Sequence, residues 1–321
     1  MNPSPRFTVV LAAIDDYATI EQVHLCLEGQ TIRDELEIQF ICRSRARLAL
    51  PGGFSGRYPD IVVLEGGDGL LLNEARALGI AAARAPYVLI LEDHCLPYAD
   101  CLEKLLGRLE DGWSAVGPGF VSGNRESAIG VAANLLTYGQ WMGHRQGEER
   151  RFIAGFNSAF PTRLLLERGD QLAEDMVTPS TLQQSLAATG HRFWFEPAAV
   201  MAHWESSSLG GVRQILMKNG RGMGTLRARG RGVAWKAWRT LASPALAAYR
   251  GLRGAQTWLR AGEGQVAALL LITPLALLWT LGELQGYWSG DHQAAIEGSS
   301  EVERNRQRFV DAAREPIRKN W

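Results

Sequence analysis

The chain has 321 residues, 46% of them hydrophobic, enough to bury one large core or one core with an appendage. Lysine plus arginine and aspartate plus glutamate balance at 34 each, which excludes a function carried by overall charge and leaves only its distribution to read. The four cysteines (Cys26, Cys42, Cys95 and Cys101) form neither a CxxC pair nor a zinc-type spacing with histidine, and read as buried thiols of a reducing compartment.

Met1 to Arg6 is polar, contains prolines and leads straight into a strand-like run, so no signal peptide is expected. Phe7 to Ile14 is apolar and rich in β-branched residues, which predicts a buried strand. Thr19 to Gly29 has helical spacing through Ile20, Val23 and Leu27. Leu36 to Cys42 and Ile61 to Leu64 are further strands, Leu71 to Ala83 a helix, and Tyr87 to Leu91 a fourth buried strand. Alternating strands and helices predict βαβ units and a mostly parallel sheet flanked by helices. Such sheets bind ligands at the carboxyl ends of their strands, here just after Ile14, Cys42 and Leu91.

A second block, Arg151 to Glu205, holds the segment Phe152 to Phe160, the pair Glu174–Asp175, a helix through Leu182 to Ala188 and a strand near Phe193 to Phe195. The character then changes, which places a domain boundary at 210, with 1–210 as the α/β domain and 211–321 as a helical C-terminal region. No Asp or Glu lies between Glu205 and Glu263, whereas Arg213, Lys218, Arg227, Arg250 and Arg260 do, so this block should seek anions. Trp235, Trp238, Tyr249 and Trp258 are mixed with the arginines. Val266 to Leu281 is nearly all apolar, contains Pro274, and falls short of the ~20 residues of a spanning helix. An interfacial helix and a buried core helix are both open, with membrane association preferred and the basic side facing the cytoplasm.

Five constellations can carry chemistry. Glu92–Asp93–His94 follows the strand YVLIL, where acidic groups can hold a divalent cation beside a diphosphate; carboxylate and imidazole both suit Mn²⁺, while Mg²⁺ prefers oxygen. Against this stands a plain solvated turn. Glu174–Asp175 offers a general base, or else only the charges of a helix start. His203, in MAHWES, is more often structural than a ligand when taken alone. Asp15–Asp16 can meet a nucleobase or ribose, or start the next helix. Arg76 can reach a phosphate, or be a surface charge.

The order of these motifs resembles a family 2 glycosyltransferase of the GT-A fold. FTVVLAAIDDYATIEQVHLCLEGQT resembles its opening, ARALGIAAARAPYVLILEDHCLP its helix and acidic motif, AGFNSAFPTRLLLE its glycine–asparagine segment, and LAEDMVTPSTLQQSLAATGHRFWFEPAAVMAHWES its late ED pair and histidine. The resemblance covers about the first 205 residues. It implies an inverting transfer of sugar from a nucleotide-sugar to an acceptor hydroxyl, with Asp175 as catalytic base. It also implies nucleotide contacts from Ala13, Asp15, Arg76, Glu92 and Asp93, and a divalent cation, Mn²⁺ or Mg²⁺, on Asp93, His94 and His203. The implied acceptor is lipid-linked or a polysaccharide, and the implied site of action is the cytoplasmic face of the plasma membrane.

The sequence also departs from the pattern. QFICRSRA places Cys42 and Arg43 where the family carries aspartates, His94 replaces an acidic residue, and Pro179 interrupts the helix expected after Glu174–Asp175. A nucleotide-sugar-binding or scaffold protein without catalysis is therefore the alternative. A nucleotidyltransferase would want a glycine-rich basic loop after the first strand, where AAIDDYA stands. Nucleic-acid binding through the arginines fits the Trp-rich apolar sequence less well than lipid does.

Overall fold

A computed structural model describes residues 4–14, 16–263, 265–291, 297–298 and 301. The chain builds β1 (Phe7–Ile14), α1 (Glu21–Glu28), β2 (Leu36–Cys42), α2 (Arg45–Leu48), α3 (Phe54–Arg57), β3 (Val62–Glu65), α4 (Leu72–Ala82), β4 (Tyr87–Leu91), β5 (Cys95–Pro97) and α5 (Cys101–Glu110). It continues through β6 (Ala115–Ser122), α6 (Ala128–Thr137), β7 (Glu148–Arg150), β8 (Ser158–Pro161), α7 (Thr162–Leu166), α8 (Leu172–Asp175), α9 (Pro179–Ala188) and β9 (Phe193–His203). Four helices follow: α10 (Leu209–Ala228), α11 (Val233–Leu241), α12 (Ser243–Ala261) and α13 (Val266–Ser289).

The strands form one sheet of order β3-β2-β1-β4-β8-β6-β9-β5, with β7 beside β9. β1 pairs in parallel with β2 and β4, and β2 with β3. β8 then runs antiparallel to β4 and to β6. The α/β class expected from the sequence is the one found, and its sheet is mixed: the parallel half is the half written as continuous apolar runs. Strands covered on both faces need such runs, and Val9, Leu11, Ile38, Phe40 and Leu89 are fully buried in them. The β1–β2 register shifts between Ala12 and Ile14, which makes Ala13 a bulge residue at the carboxyl end of β1.

Two compact units are present. Among the described residues, one comprises 4–121 and 144–202, and the other 122–143 and 203–301. The division falls at the last residues of β6 and β9, so Ser122 and His203 still end strands of the sheet.

In the first unit, α4 lies directly on β1 and β2. Glu74 accepts from the Leu71 backbone N–H at 2.9 Å and fixes the start of α4. Gly79 lets the helix approach, since a Cβ there would stand 2.5 Å from Cγ1 of Val10. Pro179, expected to break a helix, occupies the first turn of α9 instead. Thr178 caps that helix by accepting from the Thr181 N–H at 3.3 Å, and a first-turn proline removes only a donor that has no intrahelical partner. None of the four cysteines forms a disulfide.

The second unit contains α6 and α10 to α13. Its tightest contact is between α10 and α13, made backbone to backbone by glycines. A Cβ on Gly220 would meet the Trp279 carbonyl oxygen, one on Gly224 the Glu283 backbone, and one on Gly286 the Arg221 carbonyl. The glycine- and arginine-rich stretch after Glu205 is thus a 20-residue helix, its glycines serving close approach. Glu283 is buried in the apolar helix α13. It is ion-paired with Arg227 of α10 and with Arg250 of α12, the latter at 2.7 Å, and accepts from Trp279 Nε1 at 3.2 Å. Such a carboxylate is tolerated inside only because it is paired and hydrogen-bonded.

Gly79→Ala sets two effects against each other. Helix propensity favours alanine by about 0.5–1 kcal/mol, while overpacking against the stiff Val10 of a central strand costs about 1–3 kcal/mol. A net loss of stability in thermal unfolding is expected; a gain would show that α4 does not press on β1 as described.

Candidate functional site

Strand β4 delivers Glu92, Asp93 and His94 to the carboxyl edge of the parallel half of the sheet. Each is held by a specific neighbour. Asn157 clasps Glu92 twice: its Oδ1 accepts from the Glu92 backbone N–H at 2.9 Å, and its Nδ2 donates to the Glu92 carboxylate at 2.7 Å. Asn157 is fully buried, has φ +67°, and donates its own N–H to the Ile90 carbonyl at 2.6 Å. Asparagine tolerates this left-handed conformation better than most residues. His94 is buried, with Nδ1 2.7 Å from Oδ1 of Asp93. A carboxylate accepts there, so Nδ1 carries the proton and Nε2 the lone pair.

His203 closes strand β9 and is held in the same way. Asn134, the buried polar residue of the apolar helix α6, donates from Nδ2 to the His203 carbonyl at 2.8 Å. That bond turns the amide oxygen toward the ring, where it lies 2.7 Å from Nδ1. The tautomer is again Nδ1–H with the lone pair on Nε2. The ring of Tyr138 packs on the imidazole at a centroid distance of 3.9 Å.

Glu92, His94 and His203 each offer one ligand atom, and these atoms lie within 4.8 Å of one another. Nε2 of His94 stands 3.6 Å from Oε2 of Glu92. One carboxylate and two neutral imidazoles, each fixed through its other nitrogen, form a donor set that fits a divalent cation tolerant of nitrogen, Mn²⁺ before Mg²⁺. In this geometry Asp93 meets His94 and orients it.

The other expected residues fall as follows. Ala13 is buried at the β1 bulge. Asp15 lies outside the described residues, while Asp16 caps the short turn Tyr17–Thr19 by accepting from the Ala18 N–H at 3.0 Å. Arg76 is buried on α4, its guanidinium 3.5 Å above the ring of Phe156, so adjacent residues Phe156 and Asn157 serve Arg76 and Glu92 respectively. Asp175 ends α8, is buried, and accepts from Nε of Arg168 at 2.7 Å. Asn73 of α4 ties α8 in place by donating to the Ala173 carbonyl at 3.0 Å. Asn134, Asn157, Arg168 and Phe156 were not singled out from the sequence. Asn134 had a readable signal, a lone amide inside IGVAANLLT. Asn157 lay in the glycine–asparagine segment without an assigned partner.

Residues 49–167 match the family model described as Glycosyl transferase family 2. That segment includes Glu92–Asp93–His94, Asn134 and Asn157 and stops before Asp175 and His203. No curated protein matches the sequence. Among solved structures, the chain is similar to the mannosyltransferase PcManGT from Pyrobaculum calidifontis, in complex with GDP-Man and Mn²⁺. The identity is 19% and the TM-score 0.50, over 94% of this chain and 87% of that one. The segment 49–167 is thus similar to family 2 glycosyltransferases, and the likeness to the mannosyltransferase is one of fold.

Asn134→Ala should free the His203 ring and weaken Mn²⁺ binding by roughly 10–100-fold, read from the EPR signal of unbound Mn²⁺. Unchanged affinity would remove His203 from the ligand set.

Proposed function

We propose that the chain transfers a sugar from a nucleoside-diphosphate donor to an acceptor hydroxyl with inversion at the anomeric carbon. The observation that carries this reading is the set Glu92, His94 and His203 at the strand ends, within 4.8 Å, in a chain whose segment 49–167 matches family 2. A divalent cation bound there supplies positive charge for the departing diphosphate. Ala13, Asp15 and Arg76 are the nucleotide-side contacts in this proposal, with Arg76 prepositioned by its seat on Phe156. The acceptor oxygen attacks the anomeric carbon as the bond to the diphosphate oxygen breaks, and Asp175 takes the acceptor proton. Arg168 holds one oxygen of Asp175 and so orients the other. GDP-mannose is the first donor to test, because the similar solved mannosyltransferase carries it. The proposed acceptor is lipid-linked or a polysaccharide, at the cytoplasmic face of a membrane.

A second reading is a binding protein without turnover. It is favoured by one observation, that Asp175 is already engaged in an ion pair at 2.7 Å.

Asp175→Asn separates the two. Loss of a general base lowers turnover by about 10²–10⁴-fold and should leave donor binding intact. Wild-type turnover in the variant would remove Asp175 from the chemistry, and absence of transfer by the wild type across donors and acceptors would favour the binding protein.

A further inference from the structure

We propose that α11, α12 and α13 form a docking surface for an anionic lipid leaflet, lying in its plane without crossing it. The inference stands on the second unit alone and is independent of the transfer chemistry.

Three mutually packed helices each leave an apolar stripe exposed. On α13 the stripe runs through Leu270 and Leu277, one heptad apart, with Leu270 74% exposed. On α12 it runs through Leu252 and Leu259, again a heptad apart, the latter 74% exposed. On α11 it runs through Trp238 and Leu241, the latter 77% exposed. Single exposed leucines are ordinary, but helical repetition on three neighbouring helices marks an interaction face.

The charge pattern names the occupant. From Ser206 to Gly290 the only acidic residues are Glu263 and Glu283, and both are buried. Every exposed charge on this stretch is therefore basic, including Arg253, beside Leu252. An apolar face rimmed by cations complements anionic headgroups over acyl chains. It does not complement a second copy of itself, which would bring like charges together.

The packing decides between lying and spanning. With 24 residues and an 18-residue stretch of mean hydropathy 1.8, α13 is long and apolar enough to cross a bilayer. Its inner side, however, is locked by Gly282 and Gly286 onto α10 and by Glu283 onto Arg227 and Arg250. α10 also carries Arg213 and Lys218, so α13 cannot cross without drawing charged helices with it or abandoning its tightest contact.

The test is sedimentation of the full chain with vesicles of phosphatidylcholine alone or with added phosphatidylglycerol. Binding to the anionic vesicles, reduced by salt, is expected. Leu252→Glu with Leu259→Glu should weaken that binding by roughly tenfold or more while leaving the thermal unfolding midpoint unchanged, because both side chains are exposed. Lys236→Glu with Arg253→Glu should remove the preference for phosphatidylglycerol even if the leucine variant fails to fold. No binding by the wild type, or binding by both variants equal to that of the wild type, overturns the proposal. A wild-type dimer that the leucine variant converts to monomer, without vesicle binding, assigns the face to a second copy. Release from cell membranes by detergent but not by alkaline carbonate means that the helix spans.

Discussion

The candidate site depends on three side chains being held so that one ligand atom of each lies within 4.8 Å of the others. Glu92, His94 and His203 each owe that position to a neighbour. Asn157 binds both the backbone and the carboxylate of Glu92, Asn134 binds both the carbonyl and the ring of His203, and Asp93 fixes His94. An amide suits the task because it donates and accepts at once. It can therefore hold a residue by its main chain and select the tautomer or rotamer of its side chain. Side chains anchored in this way spare the reorganisation that binding a cation would otherwise require.

Much of the fold was legible because the parallel half of the sheet is written in unambiguous apolar runs. β1, β2 and β4 end at the residues where hydrophobicity stops. The antiparallel half was harder to read. β6 is AVGPGFVS and β8 is SAFP, short and broken by glycine or proline, and their pairing is decided by neighbours distant in sequence. At the site, the acid–histidine turn and His203 were visible as residue types in a familiar order. Their asparagine clamps were not, because an amide's partner is chosen by tertiary placement. Pro179 shows the limit of reading one residue: alone it predicts an interruption, and Thr178 makes it a beginning.

The C-terminal sequence has the same logic at a different scale. By composition the segment after Glu205 is basic and predicts a helical region that seeks anions. The structure uses its glycines to bring α10 and α13 into backbone contact and two of its arginines to neutralise Glu283. What remains on the outside is apolar surface and positive charge. Composition shows that such residues are present, and only packing shows which of them are already engaged.

In the proposed function, Glu92, His94 and His203 hold a cation that completes a nucleotide-sugar site. This is tested most directly by thermal stabilisation with a panel of nucleotide sugars, each with and without Mn²⁺, on the wild type and on His203→Ala. At least one nucleotide sugar should raise the unfolding temperature only when Mn²⁺ is present, and His203→Ala should abolish this Mn²⁺-dependent part. Stabilisation by no member of the panel, or stabilisation indifferent both to Mn²⁺ and to His203, would contradict it.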